Sequence, residues 1–223
     1  MELIADKIRH YHQILDPIGV GLVAVSKFHP AEMIRQAYDA GQRIFGESRV
    51  QELTAKIPML PADIQWHFIG HLQTNKVRQI IGKTALIESV DSEKILSLID
   101  SESLRAGVTT RVLMQIHVAQ EETKSGFSPE EFIHYFKERK FENLRATHIC
   151  GVMGMASNTD DTERISADFQ KISELRRMAL DLAPDLRGFD TISMGMSGDY
   201  PLAVKNGATL VRIGTDIFGE RQY

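Results

Sequence analysis

Cys150 is the only cysteine in the chain. A lone thiol excludes an internal disulfide, so a small secreted scaffold held by bridges is ruled out and a reducing cytoplasm is the expected compartment. Charge of one sign is equally scarce. The formal net charge is −4, which leaves no basic field to hold a phosphodiester backbone, and the short run Lys137-Glu138-Arg139-Lys140 is broken by an acid and reads as a solvated helix end. Nucleic acid is therefore not an expected partner. No apolar run is long enough to span a bilayer, so neither is a membrane. Between Met1 and Leu15, charges at Glu2, Asp6, Lys7 and Arg9 alternate with Ile4, Ile8, Tyr11 and Leu15. That spacing predicts an amphipathic helix rather than the apolar core of a signal peptide.

What is present is ordinary for a packed globular chain: 43% hydrophobic and 25% charged residues over 223 positions. All-parallel α/β barrels commonly run to roughly 200–250 residues around one core, so a single domain over residues 1–223 is expected. Eight short apolar or β-branched runs recur along it: Gly21–Ser26, Gln42–Gly46, Gln65–Gly70, Ala85–Val90, Arg111–Val118, Ala146–Met153, Asp190–Met194 and Thr209–Gly214. Runs such as Leu22-Val23-Ala24-Val25 are too continuously apolar for a strand with one wet face, which predicts parallel strands covered by helices. Pro30 opens a helix with Met33, Ile34 and Ala37 on one face, and Gly41 stands where a left-handed cap is wanted. Ile165, Phe169, Ile172, Leu175, Ala179 and Leu182 make the apolar stripe of a longer helix that Pro184 stops. Strand then helix, repeated eight times, is the pattern of an α/β fold of the (β/α)8 TIM-barrel type with an extra N-terminal helix. A doubly wound open sheet is the alternative, but its Gly-x-Gly-x-x-Gly fingerprint is missing after the first strand.

In such a barrel the chemistry gathers at the carboxyl ends of the strands, with phosphate often held after strands seven and eight. Gly195-Met196-Ser197-Gly198-Asp199 follows the seventh and Gly214-Thr215-Asp216 the eighth. Ser197, Gly214 and Thr215 offer hydroxyls and accessible backbone N–H groups suited to a phosphate dianion, although tight turns with hydroxyl caps look the same in sequence. Asp199 is expected to cap the following helix, turned away from the anion it would repel. Lys27 ends strand one behind an apolar run. Partial loss of hydration there favours the free amine that attacks an aldehyde, while a snorkelling lysine fits the same position. Arg212 is embedded in Leu210-Val211-Arg212-Ile213 and needs either a ring nitrogen or a carboxylate such as Glu47 or Glu88. Met153 is able to touch a ring, or simply to fill the core. His67 and His71 lack the glutamate of a zinc-protease helix motif, so no metal is expected, and Cys150 is expected to be buried and inert. The polar stretch Gly70 to Arg78 should lie at the same mouth, either binding a ligand or capping the third helix.

Six blocks in order carry a resemblance across the whole chain: Ala24-Val25-Ser26-Lys27; Phe45-Gly46-Glu47 with Val50-Gln51-Glu52; Trp66-His67-Phe68-Ile69-Gly70; Leu72-Gln73-Thr74-Asn75-Lys76; Gly195-Met196-Ser197; and Val211-Arg212-Ile213-Gly214-Thr215. Together they resemble the pyridoxal phosphate homeostasis protein family, whose fold is like the barrel domain of alanine racemase. The resemblance implies pyridoxal 5'-phosphate as cofactor, held as an internal aldimine on Lys27. It also implies phosphate contacts from Ser197, Gly214 and Thr215, and Arg212 facing the pyridine nitrogen. Where that family usually has Asn-Tyr after Phe-Gly-Glu, this chain has Ser48-Arg49, so the shorter Ser48 takes the place of a ring-contacting asparagine. The implied role is a non-catalytic, monomeric cofactor carrier or regulator, with pyridoxal-dependent apoenzymes as recipients. A pyridoxal-dependent amino-acid racemase is the alternative. It would need a second acid–base group on the far face of the substrate, and no segment of this sequence is available to supply the β-rich domain that carries it in racemases. A sugar-phosphate enzyme using Lys27 is a third reading.

Overall fold

The structure is a computed structural model that describes residues 3–119 and 125–220. Eight parallel strands close in sequence order into a barrel: β1 (Gly21–Val25), β2 (Ile44–Glu47), β3 (Gln65–Phe68), β4 (Leu86–Val90), β5 (Thr110–Ile116), β6 (Thr147–Gly154), β7 (Thr191–Ser193) and β8 (Leu210–Ile213). Closure is made by β1 on β8, in register from Gly21 opposite Leu210 to Ala24 opposite Ile213. This is the (β/α)8 barrel that the sequence pattern predicts, including its additional first helix.

Alternation along each strand sorts side chains between two layers. Leu22, Ala24, Phe45, Trp66 and Phe68 point outward into the layer shared with the helices. Inside the barrel, Val23, Val25 and Leu210 form one apolar cluster, and Leu86, Leu113, Cys150 and Met153 form another. Cys150 and Met153 are an odd number of residues apart, yet both face inward. Strict alternation forbids this, and a bulge resolves it: Val112 pairs with Ile149 but Leu113 pairs with Gly151. Gly151 takes φ +151°, and a Cβ there would lie 1.9 Å from the Thr191 carbonyl oxygen, so only glycine fits.

The covering helices start and stop as their chemistry dictates. In α1 (Ile4–Leu15), Ile8, Tyr11 and Leu15 are buried. After it, α2 (Ala31–Asp39) opens behind Pro30 and buries Ile34 and Ala37, and α3 (Val50–Lys56) follows β2. The Gly70 to Arg78 stretch forms a 3-10 turn, Thr74–Lys76, that leads into α4 (Val77–Ile80). Then come α5 (Glu93–Ala106), α6 (Pro129–Lys137) with a Ser128/Glu131 capping box, and α7 (Thr162–Leu182) with an Asp161 cap. The stripe expected on α7 is buried from Ile165 to Ala179, but Leu182, the last residue of the helix, is exposed. The basic run after α6 is also less solvated than its composition suggests, since Lys140 pairs with Glu93 at 2.7 Å and Arg139 with Asp185 at 2.6 Å. Two short helices, α8 (Tyr200–Lys205) and α9 (Thr215–Phe218), follow β7 and β8. On α9, Asp216 accepts a hydrogen bond from the Tyr11 hydroxyl at 2.8 Å and is paired with Lys7, while the Tyr11 ring meets Tyr200 of α8 edge-on. The first helix is thus clasped to both turns at the far strands.

Candidate functional site

At the carboxyl ends of the strands lies a cavity of about 290 Å³. Lys27, Met153, Ser197, Arg212, Gly214 and Thr215 all line it, so six of the seven residues singled out from the sequence meet on one surface. The seventh, Ser48, lines a neighbouring cavity instead. The backbones explain this: Ser48 is pressed against Gly70, where a Cβ would come within 2.1 Å of the Ser48 carbonyl oxygen. Sequence reasoning missed His29, Ile69, Met155 and Met196 on the first cavity. Ile69 was accessible through alternation from His67, and Met155 and Met196 adjoin segments already noted. His29 gave no signal, because its place comes from stacking on Phe218 of α9 at 5.3 Å between ring centroids.

Lys27 leaves the barrel through a strained turn. Phe28 is left-handed at φ 67°, uncommon for a bulky residue, and is held there by its N–H donating to Glu52 Oε1 at 2.6 Å. Behind that turn is a buried charge cluster. The Lys56 ammonium donates to Glu47 at 2.7 Å, to Glu52 at 2.6 Å and to the Ser26 carbonyl at 2.9 Å, and the Ser26 hydroxyl donates to Glu47 at 2.6 Å. Burial pushes the Glu47 carboxyl up to about 7 despite Lys56 and Ser26, and its Oε2 has no hydrogen-bond partner.

Arg212 forms the floor. Its guanidinium donates to Ser193 Oγ at 2.6 Å and to the Gly154 carbonyl at 3.0 Å, with Glu88 at 3.8 Å. Ser193 passes its own hydrogen on to Glu88, whose other oxygen meets His67 Nδ1 at 2.6 Å. Of the carboxylates weighed for Arg212, Glu88 is therefore the partner, and Glu47 belongs to Lys56. Burial alone would raise Glu88, but hydrogen bonding and charge from His67, then Arg212 and Ser193, hold it below its ordinary value. Burial lowers the Arg212 guanidinium, with Glu88 and Asp199 opposing. His67 is thus committed to this network and His71 to Asp91 at 2.8 Å. Among the described residues no cluster of metal ligands forms. Cys150 is buried, as expected, although the Arg111 guanidinium lies 3.2 Å from its sulfur.

The two turns beyond β7 and β8 face Lys27 across the cavity. They are tied together by the Asp216 N–H donating to Ser197 Oγ at 3.5 Å. Asp199 occupies the N-cap position of α8 but makes no forward cap. Its carboxylate reaches back to the Met196 N–H, which keeps it bonded within the turn.

A family model described as the N-terminal domain of alanine racemase matches residues 1–222. A pyridoxal phosphate homeostasis protein of Schizosaccharomyces pombe is 38% identical over 226 residues, covering 99% of this chain and 91% of the relative. That of Aquifex aeolicus is 39% identical, covering 91% of this chain and 87% of the relative. The chain belongs to the pyridoxal phosphate homeostasis protein family. Among solved structures, PipY of Synechococcus elongatus is 36% identical, with 97% of this chain and 100% of PipY covered. It superposes with a TM-score of 0.91 without pyridoxal phosphate and 0.88 with it bound. The alanine racemase of Streptomyces coelicolor, at 19% identity and a TM-score of 0.76, shares the barrel fold, and this chain covers 57% of it.

Proposed function

We propose that this chain binds pyridoxal 5'-phosphate and serves its supply rather than its chemistry, as a cytoplasmic, monomeric carrier or regulator that yields the cofactor to pyridoxal-dependent apoenzymes. One observation carries the reading: an amine, a fixed guanidinium and two hydroxyl-bearing glycine turns converge on a single cavity. The residues fit the group. Ser197, Gly214 and Thr215 suit its phosphate, Met153 and Ile69 the flat faces of its ring, and Arg212 the ring nitrogen. When bound, pyridoxal 5'-phosphate supplies an aldehyde and an aromatic ring able to draw electrons. Lys27 is the group that tethers that aldehyde, and Val25 and Ile69 share the cavity wall with it.

Arg212 argues for holding over turnover. Three contacts fix a guanidinium that stays cationic at neutral pH, so it donates to the ring nitrogen and does not protonate it, which leaves the ring a weak electron sink. The single buried thiol is consistent with a reducing compartment, and no described helix is long and apolar enough to cross a membrane. The test is borohydride reduction of the protein incubated with pyridoxal 5'-phosphate, followed by peptide mapping. The mass of the reduced cofactor is expected on Lys27 alone and absent from Lys27→Ala. A protein that takes up no cofactor sinks the reading, and robust inversion of L-alanine would replace it with a racemase.

A further inference from the structure

Beside the cofactor mouth lies a second cavity, of about 200 Å³, whose walls include Ser48, Arg49, Gln51, His71, Gln73 and Lys76. We infer that it is a binding site for the carboxylate group of a small organic acid, placed next to Lys27. The inference extends the proposed function, since it names a second ligand class at the same barrel mouth.

Charge is the first argument. Arg49 and Lys76 are both cations, and no acid lines the cavity. Among the described residues neither has a carboxylate partner. Two like charges sharing one cavity repel, and an anion between them reverses the sign of that interaction. Asp91 meets His71 Nδ1 from behind, at 2.8 Å, and so orients the imidazole without entering the lining.

Preorganisation is the second. The Arg49 guanidinium lies over the Phe28 ring, 4.5 Å from its centroid. Phe28 is the left-handed residue pinned by Glu52, which the buried Lys56 holds in turn. The strained turn after Lys27 therefore serves two ends: it directs the lysine into one cavity and presents an aromatic platform that fixes an arginine beside the other. Proximity follows from the register. Val25 pairs with Gly46 and the Ser26 hydroxyl reaches Glu47, so Lys27 and Ser48 each follow directly on residues of neighbouring strands that touch. Ile69 lines the first cavity and His71 the second.

The ligand class follows from the lining. No glycine turn contributes here, in contrast to the phosphate seat across the barrel. The lining supplies side-chain donors: the planar fork of an arginine, a lysine and two neutral amides. That set matches a planar carboxylate.

The test is calorimetric titration of cofactor-loaded protein with sodium succinate at constant ionic strength, with inorganic phosphate as a parallel arm. Saturable succinate binding is expected, weakened roughly ten-fold or more in Arg49→Met and in Lys76→Met, the loss of a charged donor. Lys205→Met, on α8 away from the cavity, should leave it unchanged. Absence of saturable binding, equal binding in the Arg49 and Lys76 variants, or phosphate binding as tightly as succinate would each overturn the assignment. Cofactor uptake, read separately from visible absorbance, keeps the two ideas apart. Normal uptake without succinate binding sinks the carboxylate site alone, and succinate binding to a protein that takes up no cofactor sinks the cofactor reading alone.

Discussion

Two buried ionisable residues do opposite things here, and the difference is how well each is satisfied. Both oxygens of Glu88 have partners, His67 on one side and Ser193 on the other, with Arg212 beyond, so it stays ionised in the core and fixes the guanidinium. Glu47 has one satisfied oxygen and one orphan, and burial lifts it to about 7. The consequence for stability has a definite sign. Between the ordinary glutamate value and about 7, the unfolded chain has released the proton that folded Glu47 keeps, so each step up in pH across that window removes stability, and the loss is complete above it. Urea midpoints should therefore fall from about pH 5 to about pH 8, and Glu47→Gln should flatten that fall. An equal slope in the variant would place the titration elsewhere. At the floor, Arg212→Gln should weaken cofactor binding about ten-fold or more and shift its absorbance while the fold melts normally. Gross unfolding would mean that Arg212 serves the core network and not the ring.

At the level of elements, the (β/α)8 pattern was legible because the strands are short, mostly apolar or β-branched runs that alternate with helical segments. Boundaries were less so. The second run begins at Gln42 in sequence, but the strand starts at Ile44, because the Gln42 side chain caps it instead, donating to the Leu22 carbonyl at 2.8 Å and the Ile44 carbonyl at 2.6 Å. Asp199 was expected to cap forward and bonds backward, since its turn offers the Met196 N–H first. Where strand ends place residues directly, as for Lys27, Arg212 and Thr215, the expected residues line one cavity. Ser48 lines the next cavity instead, where its backbone meets Gly70, a contact that no periodicity encodes. Met153 reaches the cofactor side only because the bulge at Gly151 shifts the parity of β6. Gly151→Ala should cost about 2 kcal/mol or more in chemical denaturation, by forcing a Cβ against Thr191, and should disturb the cofactor absorbance as Met153 moves. Unchanged stability would show that β7 yields at no cost.

Over the whole molecule, the clasp of Tyr11 and Lys7 on Asp216 joins residues 205 and 209 positions apart in sequence. Removing one of its hydrogen bonds, as in Tyr11→Phe, should cost roughly 1 kcal/mol. Because Tyr11 also braces Tyr200, the change should speed release of pyridoxal 5'-phosphate while leaving pyridoxal, which has no phosphate to seat, bound as before. Stopped-flow release of the two compounds separates these outcomes, and equal acceleration of both would make the clasp a general stability contact. The same geometry bears on how the protein comes to be loaded. Lys27 lies near the beginning of the chain and Thr215 near its end, and their shared cavity exists only once β1 has met β8. A chain whose barrel is still open has the amine but not the seat, so every captured cofactor draws the chain toward its closed form by mass action.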